Sequence, residues 1–387
     1  MTWVSTADRL NGVEEYYFSR KLKEIAAMRA AGKDVYNLGI GSPDLPPHHT
    51  VIEALSKSAI DVRNHAYQSY QGLPELRQAF ADWYQKYYRV NLDPTTEILP
   101  LIGSKEGIMH VSMAFLQAGD EVLIPNPGYP TYRSASGLTG ATIVEYALKE
   151  ANHWEPDWQA LEAMDLSKVK LMWVNYPHMP TGANGSMELF EKIVAFGKRH
   201  KILICHDNPY SFILNDRPAS LLEVPGAKEV VLELNSLSKS HNMAGWRMGM
   251  IAGSAEHLKE VIRFKSNMDS GMFKPLQVAA VSALKLGEDW FSSLNKVYAE
   301  RRQKAFALLD LLECTYDPNQ VGMFVWGRVP ERYEDGYQLS DEALYNAHVF
   351  ITPGGIFGSE GNAYIRISLC SDGAVLEEAV RRLMITA

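Results

Sequence analysis

From about residue 50 to 285, short apolar runs alternate with segments of helical period, and this alternation constrains the fold more than any single motif. The runs fall at 97–102, 121–124, 169–174, 202–205, 229–234 and 247–252. Each is bounded by Gly, Pro, Asn or Asp, as strands buried on both faces are. Between them lie helical patterns such as 73–88, where Leu73, Leu76, Phe80, Trp83, Tyr84 and Tyr87 recur at helical spacing. The expectation is an α/β fold with a mostly parallel sheet covered by helices.

At 387 residues the chain is longer than one core usually organises. After a long charged helical pattern at 289–313 its character changes, with strand-like runs at 323–326 and 363–369 separated by helix-like segments. We expect a large domain at 47–285 and a smaller α+β domain built from 1–46 plus 286–387. A helix at 13–31, with Leu22, Ile25, Met28 and Ala31 in register, needs a partner face and is expected to pack on the smaller domain.

The net charge of −8 argues against a nucleic-acid partner, because phosphate-backbone affinity depends on clustered Lys and Arg. The N-terminus has no basic-then-apolar export pattern and the chain no apolar run of membrane-spanning length, so no membrane partner and a cytoplasmic location are expected. The three cysteines, Cys205, Cys314 and Cys370, lie outside metal-ligand or disulfide spacing. They read as buried reduced thiols, and no metal is expected.

The most informative window is NSLSKSHNMAGWRMGMIAG, residues 235–253, where Lys239 stands between two expected strands in a turn of small residues. Burial favours the neutral amine, and only the neutral amine attacks an aldehyde to form an imine. Ser236 and Ser238 offer hydroxyls to an anion, and Arg247 can fork onto phosphate oxygens. Together these residues suggest a phosphorylated aldehyde cofactor. Upstream, ILICHDNPY places Asp207 at the end of a buried run, where ligands of open α/β sheets bind, with Tyr210 three residues on. Gly103-Ser104-Lys105 opens a helical pattern whose first N–H groups suit phosphate. Arg366 alternates with apolar neighbours in AYIRISL and would otherwise be a charge facing a core.

On these residues the chain resembles the fold type I, class I/II aminotransferases, whose lysine motif reads S-x-S-K with an arginine eight residues later. The resemblance implies pyridoxal 5'-phosphate held by Lys239 as a Schiff base, in a large domain with a seven-stranded, mostly parallel sheet. It assigns Asp207 to the pyridine nitrogen, Tyr210 to the phenolic oxygen, and Ser104 and Lys105 to the phosphate. Tyr129, in PNPGYPTY, matches the aromatic that stacks on the ring. Tyr67 matches a tyrosine that reaches the neighbouring subunit's phosphate, which implies a homodimer with shared sites. Arg366 would clamp the substrate α-carboxylate, with the backbone of Gly41, in LGIGSPD, close to it. The implied reaction moves an amino group between an L-amino acid and a 2-oxo acid, with glutamate/2-oxoglutarate as one pair. The segment FKSNMDSGMFKPL is similar to the alanine, aspartate or LL-diaminopimelate subgroup. Carbon–sulfur β-lyases and cyclopropane-forming synthases share the scaffold and are the alternative.

One position departs from the pattern. The family places Asn-Pro-Thr-Gly after the run at 169–174, but this chain reads NYPHMPTG, with Met179 where that asparagine belongs. The asparagine donates to the phenolic oxygen and contacts the substrate carboxylate, and a thioether does neither well. Tyr210 is then the main donor, with His178 or Asn175 as possible substitutes. The Met179–Pro180 bond is a candidate cis peptide.

Overall fold

The helix expected at 73–88 forms at Pro74–Tyr88 in the computed structural model, which describes residues 3–11 and 17–386. Proline sits at its first turn, where the missing N–H costs nothing, and Arg89 closes it in the left-handed conformation. Leu76, Phe80, Trp83 and Tyr84 are buried. Each such side chain contributes about 1.5–3 kcal/mol by leaving water.

Twelve strands form: β1 (Tyr36–Asn37), β2 (Ile98–Leu101), β3 (Glu121–Asn126), β4 (Thr142–Ala147), β5 (Val169–Val174), β6 (Leu203–Asp207), β7 (Val231–Ser236), β8 (Gly249–Ala252), β9 (Phe324–Arg328), β10 (Val349–Phe350), β11 (Thr352–Pro353) and β12 (Tyr364–Ser368). A seven-stranded sheet runs in the order β2-β8-β7-β6-β5-β3-β4. It is parallel except for β8, which lies antiparallel to both neighbours.

The six runs read from the sequence supply six of these strands, and β4 is the addition. It is an edge strand paired with β3 alone, and Thr142 and Glu145 are exposed along it. Its mixed TIVEYA composition therefore lacks the continuous apolar run that marks its neighbours. Two expected boundaries move. Residues 227–229 form a 3-10 turn, so the run at 229–234 becomes β7 at Val231–Ser236. Arg247 is not a strand residue; it takes the left-handed conformation at φ 54° and β8 begins two residues later.

A second, antiparallel sheet orders β11-β12-β9 and packs with the helices Glu288–Leu311, Gly336–Ala347 and Gly373–Thr386. The short parallel pair β1 and β10 lies beside it. Of the helix expected at 13–31, residues 13–16 lie outside the described residues, and the rest forms at Tyr17–Ala30. Ile25 packs with Val35, Leu344 and Phe350, which is the partner face that its register required. No helix among the described residues is long and apolar enough to cross a membrane. Cys205, Cys314 and Cys370 are buried free thiols.

Candidate functional site

One edge of the large sheet gathers the chemistry. Gly103 and Ser104 follow β2, Tyr129 follows β3, Asn175 follows β5, Asp207 ends β6, Ser236 ends β7, and Arg247 precedes the reversed β8. The carboxyl ends of parallel strands leave a crevice there because successive helices leave the sheet in different directions. β9 and β12 of the second sheet face it with Phe324 and Arg366. Together they line a cavity of about 540 Å³.

Lys239 lies in a one-turn helix, Leu237–Ser240, directly after β7. Its Nζ donates to Gly41 O across the cavity. Burial pushes the ammonium below the ordinary lysine range, and Arg366 and Arg247 push the same way against Cys370 and Asp207. The shift favours the neutral form of the amine, which is the nucleophilic one.

Asp207 is 5 % exposed. Its Oδ2 accepts from Tyr132 Oη at 2.9 Å, and its Oδ1 has no partner among the described residues. Burial is the main force raising this carboxyl to about 6, opposed by the Tyr132 hydroxyl, His206 and Lys239. A buried carboxylate oxygen without a donor is costly unless a ligand supplies one.

Anion-binding groups cluster opposite. Gly103, at φ 83°, precedes the helix Ser104–Phe115, whose first N–H groups are unpaired within the helix. A Cβ at Gly103 would collide with the Arg247 guanidinium, so this approach requires glycine. Ser104 Oγ is buried with no partner among the described residues, and Ser236 and Ser238 share a hydroxyl contact of 2.8 Å. Arg247 Nη1 donates to Ala244 O at 2.8 Å. Lys105 completes the lining on this side.

Arg366, 4 % exposed, lies 4.0 Å from the Phe324 ring centroid and 4.7 Å from that of Phe357. Its Nη2 donates to Gly39 O at 2.7 Å and its Nη1 to Met179 Sδ at 3.4 Å. Gly41 passes so close to Phe324 that a Cβ would lie 2.5 Å from Cζ. Tyr210 packs edge-on against Phe324, and Tyr129 edge-on against Tyr132.

The peptide bond Met179–Pro180 is cis. Of the two side chains considered as substitutes for the missing asparagine, His178 turns away and shares its Nδ1 with Thr181 Oγ1 at 2.8 Å. Asn175 lines the cavity, where its Nδ2 donates to Asp207 O at 2.6 Å and its Oδ1 accepts from Met179 N at 2.8 Å. It braces the turn against the strand that carries Asp207.

Twelve of the thirteen site residues read from the sequence border this cavity: Gly41, Ser104, Lys105, Tyr129, Met179, Asp207, Tyr210, Ser236, Ser238, Lys239, Arg247 and Arg366. Tyr67 does not; it is 91 % exposed on a surface segment. Sequence reasoning missed Tyr132, although it lies one helical turn after Tyr129, and it missed the rings around Arg366, which come from separate segments. Glu106, His110 and Asp269 form a trio of metal-capable side chains outside the cavity lining. A cation already serves that trio, since Lys265 pairs with Asp269 at 2.7 Å.

The donor set fits pyridoxal phosphate: a cradle of hydroxyls and N–H groups for the phosphate, an orphaned carboxylate oxygen for a protonated ring nitrogen, and a depressed lysine for the aldehyde.

A family model described as aminotransferase class I and II matches residues 33–383. An LL-diaminopimelate aminotransferase of Dehalococcoides mccartyi is 41 % identical over 377 residues, covering 97 % of each chain. One from Desulforudis audaxviator is 42 % identical over 379 residues, covering 97 % of this chain and 96 % of the relative. Among solved structures, apo BacF from Bacillus subtilis superposes with a TM-score of 0.95 at 36 % identity, covering 99 % of both chains. An aminotransferase from Staphylococcus aureus gives 0.89 at 30 % identity over 98 % of both.

Proposed function

This chain belongs to the class I and II aminotransferase family, and we propose that it moves the amino group of an L-amino acid to a 2-oxo acid at the cavity around Lys239. It is a pyridoxal-phosphate-dependent aminotransferase. Pyridoxal phosphate, when bound, supplies the aldehyde that takes up the amino group and the electron sink that makes the substrate α-proton acidic.

The observation that carries the reading is that a depressed lysine, an orphaned buried carboxylate and a buried arginine line one cavity. Ser104, Lys105, Ser236, Ser238 and Arg247 would bind the phosphate. Asp207 would hold the ring nitrogen protonated through its free Oδ1. Tyr210 would donate to the phenolic oxygen, and Tyr129 would stack on the ring. Arg366 would clamp the substrate α-carboxylate, beside the backbone of Gly41. Lys239 Nζ, held within reach by its tether, would take the α-proton and return it. Met179 would narrow the space beside the carboxylate without donating to it. Tyr67, exposed in the single chain, supports a homodimer in which it reaches the partner's site.

The relatives' names support amino transfer over β-elimination and point to LL-diaminopimelate as donor. Glutamate/2-oxoglutarate as the second pair rests on the resemblance to the family alone. A donor with an apolar side chain is the second reading. It rests on Phe18, Leu22, Ile40, Phe324 and Phe357, which line the cavity, three of them with their rings at Arg366. A panel of amino donors against 2-oxoglutarate tests both. Glutamate formed fastest from LL-diaminopimelate supports the first reading, and from apolar donors the second. Release of pyruvate and ammonia without glutamate would reject amino transfer.

A further inference from the structure

Directly before Asp207 in β6 stands a histidine that none of the roles above uses. His206 is completely buried, as is Glu233 on the adjacent β7. Side chains alternate along a strand, so His206 lies on the opposite face of the sheet from Asp207. There it packs edge-on against Phe190.

Its two ring nitrogens have defined partners. Nδ1 lies 2.8 Å from Glu233 Oε2, and Nε2 lies 3.0 Å from Tyr176 O. A carboxylate and a carbonyl only accept, so Nδ1 carries a hydrogen, and Nε2 carries one as well where it makes the shorter contact with Tyr176 O in place of accepting from the Tyr176 N–H. The Tyr176 N–H is the more distant from Nε2, at 3.4 Å. Glu233 is held as an acceptor as well. Tyr84 Oη donates to its Oε1 at 2.8 Å, the Leu221 N–H to its Oε2 at 3.0 Å, and Ser220 Oγ lies 2.8 Å from both oxygens. A proton on that carboxyl would displace one of these donors.

The geometry points to His206 and Glu233 as a buried imidazolium–carboxylate pair that serves as a positioning couple for Asp207, keeping the Asp207 carboxylate ionised from the far side of the sheet. The inference rests on the reading of Asp207 as the partner of the ring nitrogen. Around Asp207 the other groups are the hydroxyls of Tyr132, Tyr129 and Tyr210 and the amine of Lys239. Burial works against a charge on Lys239 and raises the Asp207 carboxyl. His206 is thus the cation next to Asp207 whose charge has its own buried counterion. Around Glu233 the titratable groups are Tyr84, Tyr88 and Glu223, the last with Arg89 beside it. Both tyrosines are pushed upward, by burial first and by the Glu233 charge second, so both stay neutral, and Tyr84 is the one that donates to Glu233.

The test uses the cofactor-loaded protein labelled with 15N at its 11 histidines, with His206 assigned by its loss in His206→Gln. Both ring nitrogens of His206 should show imidazolium shifts at neutral pH. One unprotonated nitrogen overturns the inference. In His206→Gln, which keeps a donor but no charge, the acid limb of the kcat profile should move up by at least about half a pH unit. Glu233→Gln should move it in the same direction, because His206 loses its counterion. A lower melting temperature with an unmoved acid limb in both variants would reduce the pair to a packing role and reject the inference. Asp207→Asn keeps the two readings apart: an unchanged cofactor spectrum in that variant would remove the role given to Asp207, while the 15N result on His206 would stand.

Discussion

Arg366 Nη1 points at the sulfur of Met179 from 3.4 Å, so the guanidinium of the proposed carboxylate clamp faces a weak acceptor where relatives of this fold place an amide. A thioether donates nothing to the phenolic oxygen. Tyr210 and the ring's own environment must then hold that oxygen. Met179→Asn restores a donor, and a hydrogen bond to a charged group contributes about 1.5–3 kcal/mol. The visible-band titration of the cofactor-loaded variant should fall by about one to two pH units. An unchanged titration would show that position 179 does not touch this oxygen.

The Arg366 fork is held by Gly39 O and by the flanking rings of Phe324 and Phe357. Lysine keeps the charge but loses the planar two-pronged donor. Arg366→Lys should lower kcat/KM for amino acids by about tenfold to a hundredfold, mostly through KM, if the fork binds carboxylate. Steady-state kinetics on the preferred donor reads this directly, and an unaltered KM would displace the clamp to another residue.

Asp207 trades stability for function. In the unfolded chain its carboxyl ionises near 3.8, whereas burial holds the folded one to about 6. Between these values the native state keeps a proton that the unfolded state has released, so stability falls as pH rises through this window and stays reduced above it. The penalty amounts to about 3 kcal/mol. Cofactor-free Asp207→Asn should therefore melt a few degrees above cofactor-free wild type at pH 7.5, with the difference vanishing near pH 4. Equal melting points at both pH values would contradict the burial penalty.

Tyr67 stands apart from the cavity of its own chain. If it completes the partner's site, mixing Tyr67→Ala with Lys239→Ala subunits should restore one intact site per hybrid dimer. Activity should recover in the mixture to roughly a quarter of wild type by random pairing. No recovery, with hybrids verified by mass, would argue against shared sites.

Six strands of the large sheet were legible because each carries a largely apolar run punctuated by Gly, Pro, Asn or Asp. β4 was hidden because an edge strand needs only one apolar face. Arg247 read as a strand residue because its apolar successors are in β8, and nothing in the composition announces a left-handed arginine. Lys239, Asp207 and Arg366 were readable from local context, since each is a charge set in an apolar or small-residue segment. Gly39 and Phe18 were not, because their contacts with Arg366 join segments hundreds of residues apart, and Phe324 and Phe357 were not, because they reach Arg366 from separate elements that only the fold brings together. Asn175 was considered only as a substitute donor. Its bracing of the Met179 turn became visible once β5 and β6 lay side by side.

The central claim is imine chemistry at Lys239. Reduction of the cofactor-loaded protein with borohydride, followed by digestion and mass spectrometry, should find the reduced pyridoxal phosphate adduct on the peptide containing Lys239. Lys239→Ala should lack both the adduct and turnover. An adduct on another lysine, or full turnover in Lys239→Ala, would contradict the account.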